Sequence, residues 1–405
     1  CKQLNMKLSI ITPTHRLTHI NELYESIKKQ TYKDWEWVLY LNGKAKRKDL
    51  SKEIEKDPRV SIYVDKVKHI KSTNVGYIKN KAFHLGKGEI LLEVDHDDLI
   101  TPDCLTEVAK AFTENPNIGF VFSHAAIIQD DGIPFNPAYG WCNPYEVEWE
   151  GKKYWCNGAF APDAGSLSLI FYAPDHVRCW RKSIYTEVGG HNEDLSILDD
   201  QELLIRTYMI TEFKEIEKCL YLYRVHGDNT WIERNQAIQD GTKQLQREWQ
   251  RELALHDAKK NNLEIVNLSE VNFNIHERWP LADSSVGVLD AYHIINQIED
   301  KQFTMSELYR VLADKAWAFI EIPSTDGRGA FQDPRHKSYW NENSFWYWTR
   351  RSHADFIDNC CIRFQDMESG TGFPNEFFKE NNIPCTHIFL RAKKTDTKRP
   401  GTTAI

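Results

Sequence analysis

The sequence predicts an α/β protein of two successive domains, each built on an open, mostly parallel sheet. Three observations carry this reading. Short apolar or β-branched runs alternate with segments of helical spacing, the pattern of strands joined by covering helices. A long charged helical stretch, Ile238 to Lys260, interrupts the alternation, which then resumes. Acidic clusters follow directly on apolar strands, at the carboxyl ends where parallel sheets bind ligands.

Taken in order, Leu8–Ile11 is a buried strand that runs into Thr12-Pro13-Thr14. Ile20, Leu23, Tyr24 and Ile27 recur at helical spacing. Trp35–Leu41 is the second strand, closed by Asn42-Gly43, and Ser61–Val64 is the third. Lys71–Leu85 is helical through Ile78, Ala82 and Leu85. Ile90–Val94 is the fourth strand and leads straight into Asp95-His96-Asp97-Asp98. Thr101-Pro102 has the form of an N-cap followed by a first-turn proline, opening a helix through Val108 and Phe112. Residues 129–165 read as an irregular stretch rich in Gly, Pro and aromatics, among them Tyr139, Trp141, Tyr145, Trp149, Tyr154 and Trp155. Asp199–Ile210 is then a helix and Cys219–Val225 a strand. In the second series, Glu264–Leu268, Val286–Ala291, Trp317–Ile322 and Cys385–Ala392 are strands and Met305–Leu312 is a helix. The expected organisation is a first domain over 1–235, a helical linker over 236–262, a smaller domain over 263–395 and a polar tail over 396–405. There are no internal repeats.

Composition narrows the function classes. With 405 residues, 41% hydrophobic and 27% charged, the chain is ordinary globular protein with room for two cores. A formal net charge of -8 gives no general attraction to nucleic acid or anionic lipid. The longest apolar stretches, such as Ile90–Val94 and Leu167–Tyr172, are far too short for a transmembrane helix. The opening Cys1-Lys2-Gln3-Leu4-Asn5 lacks the apolar run of a signal peptide. Nine cysteines, an odd number without framework spacing, fit reduced thiols and a cytoplasmic location. Cys360-Cys361 is merely adjacent, and neither C-x-x-C nor H-E-x-x-H occurs, which disfavours a structural zinc.

Asp95-x-Asp97, at the end of an apolar strand, suits a divalent cation bridging the phosphates of a nucleoside diphosphate leaving group. Alone it is equally a turn or cap. Its surroundings are more specific. Ser9-Ile10-Ile11-Thr12-Pro13-Thr14, Asn74-Val75-Gly76-Tyr77-Ile78-Lys79-Asn80-Lys81-Ala82 and Gly86-Lys87-Gly88-Glu89 leading into the Asp-x-Asp strand occur in that order. Val188-Gly189-Gly190-His191-Asn192 then precedes Leu198-Asp199-Asp200-Gln201-Glu202-Leu203, and Leu222-Tyr223-Arg224-Val225-His226-Gly227-Asp228-Asn229 follows. Over residues 7–231 this order resembles family 2 glycosyltransferases of the GT-A fold.

The resemblance implies inverting sugar transfer from a nucleotide-sugar, UDP-sugar first, to a hydroxyl of a glycan or other acceptor, with Mn²⁺ or Mg²⁺. It implies donor contacts from Pro13, Thr14, Arg16, Asn42, Asn74, Lys79, Asp95 and His96, and metal ligation by Asp97 and His226. Asp200 takes the position of the catalytic base and Asp199 that of the acidic residue before it. For Asp199-Asp200 a charged helix N-terminus is the alternative, and for His226 a structural histidine. Where many relatives carry an acidic pair after the second strand, this chain has Leu41-Asn42-Gly43-Lys44, which leaves GDP- and dTDP-sugars open. Trp141 and Trp155 suit stacking on an acceptor sugar or packing of the loop on itself.

In the second series, Trp279–Ala291, Glu307–Leu312, Glu321-Ile322-Pro323-Ser324 and Phe331-Gln332-Asp333-Pro334-Arg335-His336 resemble the later half of class I methyltransferases. No G-x-G precedes Val286 in this domain, so the cofactor loop of that family is missing. The expectation is a truncated domain that binds no S-adenosylmethionine and packs, positions acceptor or forms a homo-oligomer. Asp333 and His336 suit a site or a helix-start turn. The competing readings are a bifunctional glycosyltransferase–methyltransferase, a binding protein on a dead transferase fold, and a glycosyltransferase acting on modified bases in DNA.

Overall fold

The computed structural model describes residues 6–66, 74–136, 144–357 and 361–395. Tyr139, Trp141, Cys360, the first residues of the helix expected from Lys71, and the tail lie outside them. The chain forms two compact units, Cys1–Trp249 and Gln250–Ile405, and the division falls inside the helix Asn235–Lys260.

The described residues of the first unit build an eleven-stranded mixed sheet. Its strands are β1 (Leu8–Thr14), β2 (Trp35–Leu41), β3 (Val60–Val64), β4 (Ile90–Glu93), β5 (Leu99–Ile100) and β6 (Ile118–Gln129). They continue with β7 (Pro134–Phe135), β8 (Tyr145–Trp149), β9 (Lys152–Asn157), β10 (Arg178–Arg181) and β11 (Glu212–Val225). The main order is β3-β2-β1-β4-β10-β6-β11-β5. β1 to β4 pair in parallel, as do β6 and β11, while β10 runs antiparallel between β4 and β6. Every residue of β2 and β4 is buried, which explains their continuous apolar runs. The helices Ile20–Lys28 and Cys104–Glu114 bury Ile20, Leu23, Tyr24 and Ile27, and Leu105, Val108, Ala109 and Phe112, into the same core.

Several local expectations change. β1 extends through Thr14, because Thr12, Pro13 and Thr14 continue the register against β2. The helix expected at Thr101 starts at Cys104 with Asp103 at its N-cap. The Thr101 carbonyl accepts instead from Cys104 N–H and from the Gln30 side chain, which holds Thr101-Pro102 in a preceding turn. The stretch 129–165, expected to be irregular, contains a hairpin of β8 and β9. Its turn is Glu150-Gly151, both at positive φ (51° and 73°), the requirement of a two-residue hairpin turn. Tyr154 and Cys156 face Ala126, Ile128, Cys219 and Leu222, with Val147 and Trp149 packed beside them. β6 and β10 add to the expected strands, and β11 begins seven residues earlier than Cys219.

The described residues of the second unit form a five-stranded sheet, β12 (Glu264–Asn267), β13 (Val286–Tyr292), β14 (Leu312–Pro323), β15 (Phe364–Gly372) and β16 (Cys385–Ala392), in the order β12-β13-β14-β16-β15. β12 to β14 are parallel and the last two pairs antiparallel. The helix Lys301–Val311 starts earlier than Met305 because Asp300 caps it, accepting from Gln302 and Phe303 N–H; Leu312 already belongs to β14. Within this unit, residues after Gln250 of the long helix pack on the face of the sheet rather than along its edge. Ala258 meets Gly287, and Arg251 pairs with Asp290 and lies over Phe319. Asp333 ends the short helix Gly329–Gln332 instead of starting one, and its carboxylate closes on Arg335. Among the described residues, no helix is long and apolar enough to cross a membrane.

One glycine controls how the site-facing loop seats. A Cβ on Gly76 would lie 2.0 Å from the Asn192 carbonyl oxygen, while Gly76 N–H donates to Leu195 O at 3.0 Å. Gly76→Ala is expected to lower unfolding stability by about 1–3 kcal/mol, because backbone must shift to admit it. Urea denaturation measures this, and an unchanged midpoint would contradict the packing described.

Candidate functional site

The site lies at the carboxyl ends of β1, β4 and β11 and at the start of the helix Asp199–Tyr208. Two linked groups of charged side chains form there, joined through Asp95.

The first group surrounds Asp97. His226, just beyond β11, places Nε2 2.8 Å from Asp97 Oδ2. Arg16, just beyond β1, reaches four partners: Nη1 donates to Asp228 Oδ2 at 2.7 Å, Nε to His96 Nε2 at 3.3 Å, and Nη2 lies 3.4 Å from His226 Nε2 and 3.8 Å from Asp97 Oδ2. Burial would raise the Asp97 carboxyl, but His96 and His226 outweigh it and hold it below the usual range. Burial, reinforced by Arg16, pushes the His96 imidazole down to about 4. The turn carrying these residues is fixed from below. Asp98 accepts from Tyr221 Oη and from Arg224 N–H, each at 2.7 Å. The fully buried Arg224 guanidinium donates to the carbonyls of Asp97 and Asp130, both at 2.6 Å, and to Glu22 Oε2 at 2.8 Å. Arg224 therefore spends its donors on backbone carbonyls and Glu22, and Asp98, the third acid of the motif, is an anchor.

The second group centres on Glu93, fully buried at the end of β4. Lys79, from the helix Val75–His84, places Nζ 2.5 Å from Glu93 and 3.2 Å from Asp199 Oδ2. Arg178 opens β10 directly opposite Glu93 in register, and its Nη1 donates to Asp200 Oδ2 at 2.6 Å. The adjacent aspartates are thus separated by their cations. Asp199 is buried, and burial with Asp200 and Glu93 close by pushes it up to about 6 against the pull of Lys79. For Asp200, burial acts upward, yet Arg178 and Lys79 prevail and keep it below the usual carboxylate range. Asp200 Oδ1 accepts its neighbour Gln201 N–H at 2.8 Å, so both oxygens are held in place.

Asp95 bridges the groups. His176 Nε2 lies 3.7 Å from its Oδ2, and His176 stacks on Tyr221 with centroids 4.5 Å apart. Desolvation, with Glu93 and Asp97 adding, pushes Asp95 up to about 7 while Lys79 opposes.

The structure thus brings together Arg16, Asp95, His96, Asp97, His226, Lys79, Asp199 and Asp200. Pro13, Thr14 and Asn42 lie at adjoining strand ends, where Asn42 N–H donates to Thr14 O at 2.8 Å. Asn74 is otherwise engaged, since its amide donates to the carbonyls of Glu193 and Asp194. Trp155 alternates with Tyr154 and Cys156 and so takes the opposite face of the hairpin; Trp141 lies outside the described residues. Sequence reasoning missed Glu93, Arg178, His176 and Asp228. Glu93 alone left a signal: a carboxylate ending an apolar strand requires a partner. Among the described residues, no three His, Cys, Asp or Glu converge as metal ligands.

Residues 9–154, within the first unit, match the model of glycosyl transferase family 2. The chain is 22% identical over 286 residues to an uncharacterised protein, y4gI, of Sinorhizobium fredii, covering 68% of this chain and 28% of that protein. It is 22% identical over 230 residues to the hyaluronan synthase of Pasteurella multocida, covering 56% of this chain and 21% of the synthase. The chondroitin synthase of Escherichia coli gives 22% over 230 residues, 56% of this chain and 30% of that protein. The matched part therefore spans less than a third of these curated relatives, between 21% and 30% of their length. Among solved structures, S. aureus TarS 1–349 in complex with UDP aligns at 18% identity and TM-score 0.41, covering 60% of this chain and 70% of that one.

The buried pair is directly testable. Lys79→Met leaves Glu93 without its ion-pair partner and is expected to cost about 3–5 kcal/mol of stability. Adding Glu93→Gln is expected to return part of that loss. Chemical denaturation of the single and double variants checks both, and a single variant as stable as the parent would contradict the pairing.

Proposed function

We propose that the first unit is a metal-dependent, inverting glycosyltransferase that moves a sugar from a nucleotide-sugar, UDP-sugar first, to a hydroxyl of a glycan or other acceptor. One observation carries the reading: Asp97, which with Asp95 follows a strand inside the stretch matching family 2, pairs with His226, while Asp200 is held by Arg178 at the start of a helix. The names of two relatives, a hyaluronan synthase and a chondroitin synthase, support a saccharide acceptor.

Asp97 and His226 fit a divalent cation. Their 2.8 Å separation suits neighbouring ligands of one ion, and Mg²⁺-type sites take few protein ligands, filling the rest with water and substrate phosphates. Bound there, Mn²⁺ or Mg²⁺ neutralises charge on the diphosphate leaving group. Pro13, Thr14, Asn42 and His96 line the nucleotide side in this reading, and Asp95 stands toward the ribose. Asp200 is the base. Inversion needs one carboxylate opposite the leaving group to take the acceptor hydroxyl proton. Arg178 keeps that carboxylate ionised and oriented. Asp199, buried on Lys79, supports it from behind.

The second unit is proposed to be a truncated methyltransferase-like domain that binds no S-adenosylmethionine and positions acceptor or pairs copies of the chain. No G-x-G precedes Val286 in it, and among the described residues β12 pairs with β13 alone. Stoichiometric binding of labelled S-adenosylmethionine at micromolar concentration in equilibrium dialysis would overturn this and favour a bifunctional enzyme.

Asp200→Asn removes the proton acceptor while keeping its size, so donor turnover is expected to fall on the order of 10²-fold or more. Donor binding by calorimetry is expected to persist. Normal turnover in Asp200→Asn beside a dead Asp199→Asn would move the base role to Asp199.

A further inference from the structure

The Asp97–His226 pair already has a cation against it. Arg16 Nη2 lies 3.4 Å from His226 Nε2 and 3.8 Å from Asp97 Oδ2, the two atoms proposed as metal donors. Its remaining donors are directed at the same mouth, Nε to His96 and Nη1 to Asp228. The Asp97 and His226 side chains are 12% and 9% exposed, whereas Arg16 keeps 26%. The arginine is therefore the solvent-facing member of the group. Asp228, on the outer side, is 69% exposed and gives the guanidinium an anchor away from Asp97.

A divalent ion on Oδ2 and Nε2 would sit close beside a guanidinium left in this position. Like charges a few ångströms apart repel strongly enough, even in water, to weaken ion binding on the order of tenfold. A diphosphate changes the balance, because its oxygens form paired, charge-assisted hydrogen bonds with guanidinium.

We propose that Arg16 is the resting counter-ion of the Asp97–His226 pair and yields that place to the divalent cation when a nucleoside diphosphate arrives to receive the guanidinium. The inference rests on the metal reading above. It makes ion entry conditional: the cation binds weakly to the free protein and tightly with nucleotide, beyond what shared ligation alone gives. By linkage, the same coupling acts on nucleotide affinity.

The test is a Mn²⁺ titration of the full chain followed by electron paramagnetic resonance of free ion, with and without UDP. Without UDP, Arg16→Gln is expected to bind Mn²⁺ about tenfold more tightly than the parent, and Arg16→Lys, which keeps the charge, to stay near it. Asp97→Asn added to Arg16→Gln is expected to abolish the gain. UDP is expected to tighten Mn²⁺ binding less in Arg16→Gln than in the parent. Equal Mn²⁺ affinity in parent and Arg16→Gln, or a gain in Arg16→Lys as large as in Arg16→Gln, would overturn the proposal. Mn²⁺ binding to no form, even with UDP, would instead overturn the metal reading on which it stands.

Discussion

The first unit is organised around a concentration of negative charge that cannot stand alone. Glu93, Asp95, Asp97 and Asp98 fall within six residues at the end of one buried strand, and Asp199 and Asp200 approach from a helix start. Burying carboxylates costs several kcal/mol each unless cations and donors compensate them. The surrounding elements supply those partners. The helix Val75–His84 delivers Lys79, β10 delivers Arg178 opposite Glu93, β11 delivers Arg224 and leads to His226, and the loop after β1 delivers Arg16. The antiparallel insertion of β10 into an otherwise parallel run thus has an electrostatic consequence. It places a buried guanidinium between the strand that ends in acids and the helix that begins with them.

This arrangement divides similar side chains into different states. Asp98 and Asp97 are neighbours, yet one is locked by Tyr221 and Arg224 while the other meets His96, His226 and Arg16 at the mouth. Asp199 and Asp200 are neighbours too, and their separate cations leave Asp199 buried and raised, Asp200 half-open and ionised. Tuning by unequal neighbours is how one fold assigns distinct roles to identical groups.

Much of the frame was readable from the chain. β2 and β4 are fully buried parallel strands and β1 is buried at all but Pro13, and burial on both faces writes itself as an apolar run. The acidic turns stood out because they terminate those runs. What escaped detection depends on partners distant in sequence. β10 reads Arg-Cys-Trp-Arg, too short and too charged to register as a strand, and its meaning lies in the pairing of Arg178 with Glu93. β15, Phe364–Gly372, is a polar edge strand with two glycines and carries no alternation. The hairpin of β8 and β9 was hidden by glutamate at a positive-φ turn position where Asn or Asp is the common signal. Thr101-Pro102 has the form of a helix start, but tertiary hydrogen bonds from Gln30 and Thr31 use its carbonyls elsewhere.

The central claim is that the end of β4 holds a nucleotide-sugar together with a divalent cation. Ligands of the folded state raise its stability in proportion to their affinity, so the most direct measurement is a thermal-shift screen. UDP-, GDP- and dTDP-sugars are compared with and without Mn²⁺ or Mg²⁺. The account predicts that at least one nucleotide-sugar raises the melting temperature by several degrees only when the metal is present, and that Asp97→Ala removes the rise. No shift with any nucleotide-sugar and metal, or an equal shift in the presence of EDTA, would contradict it.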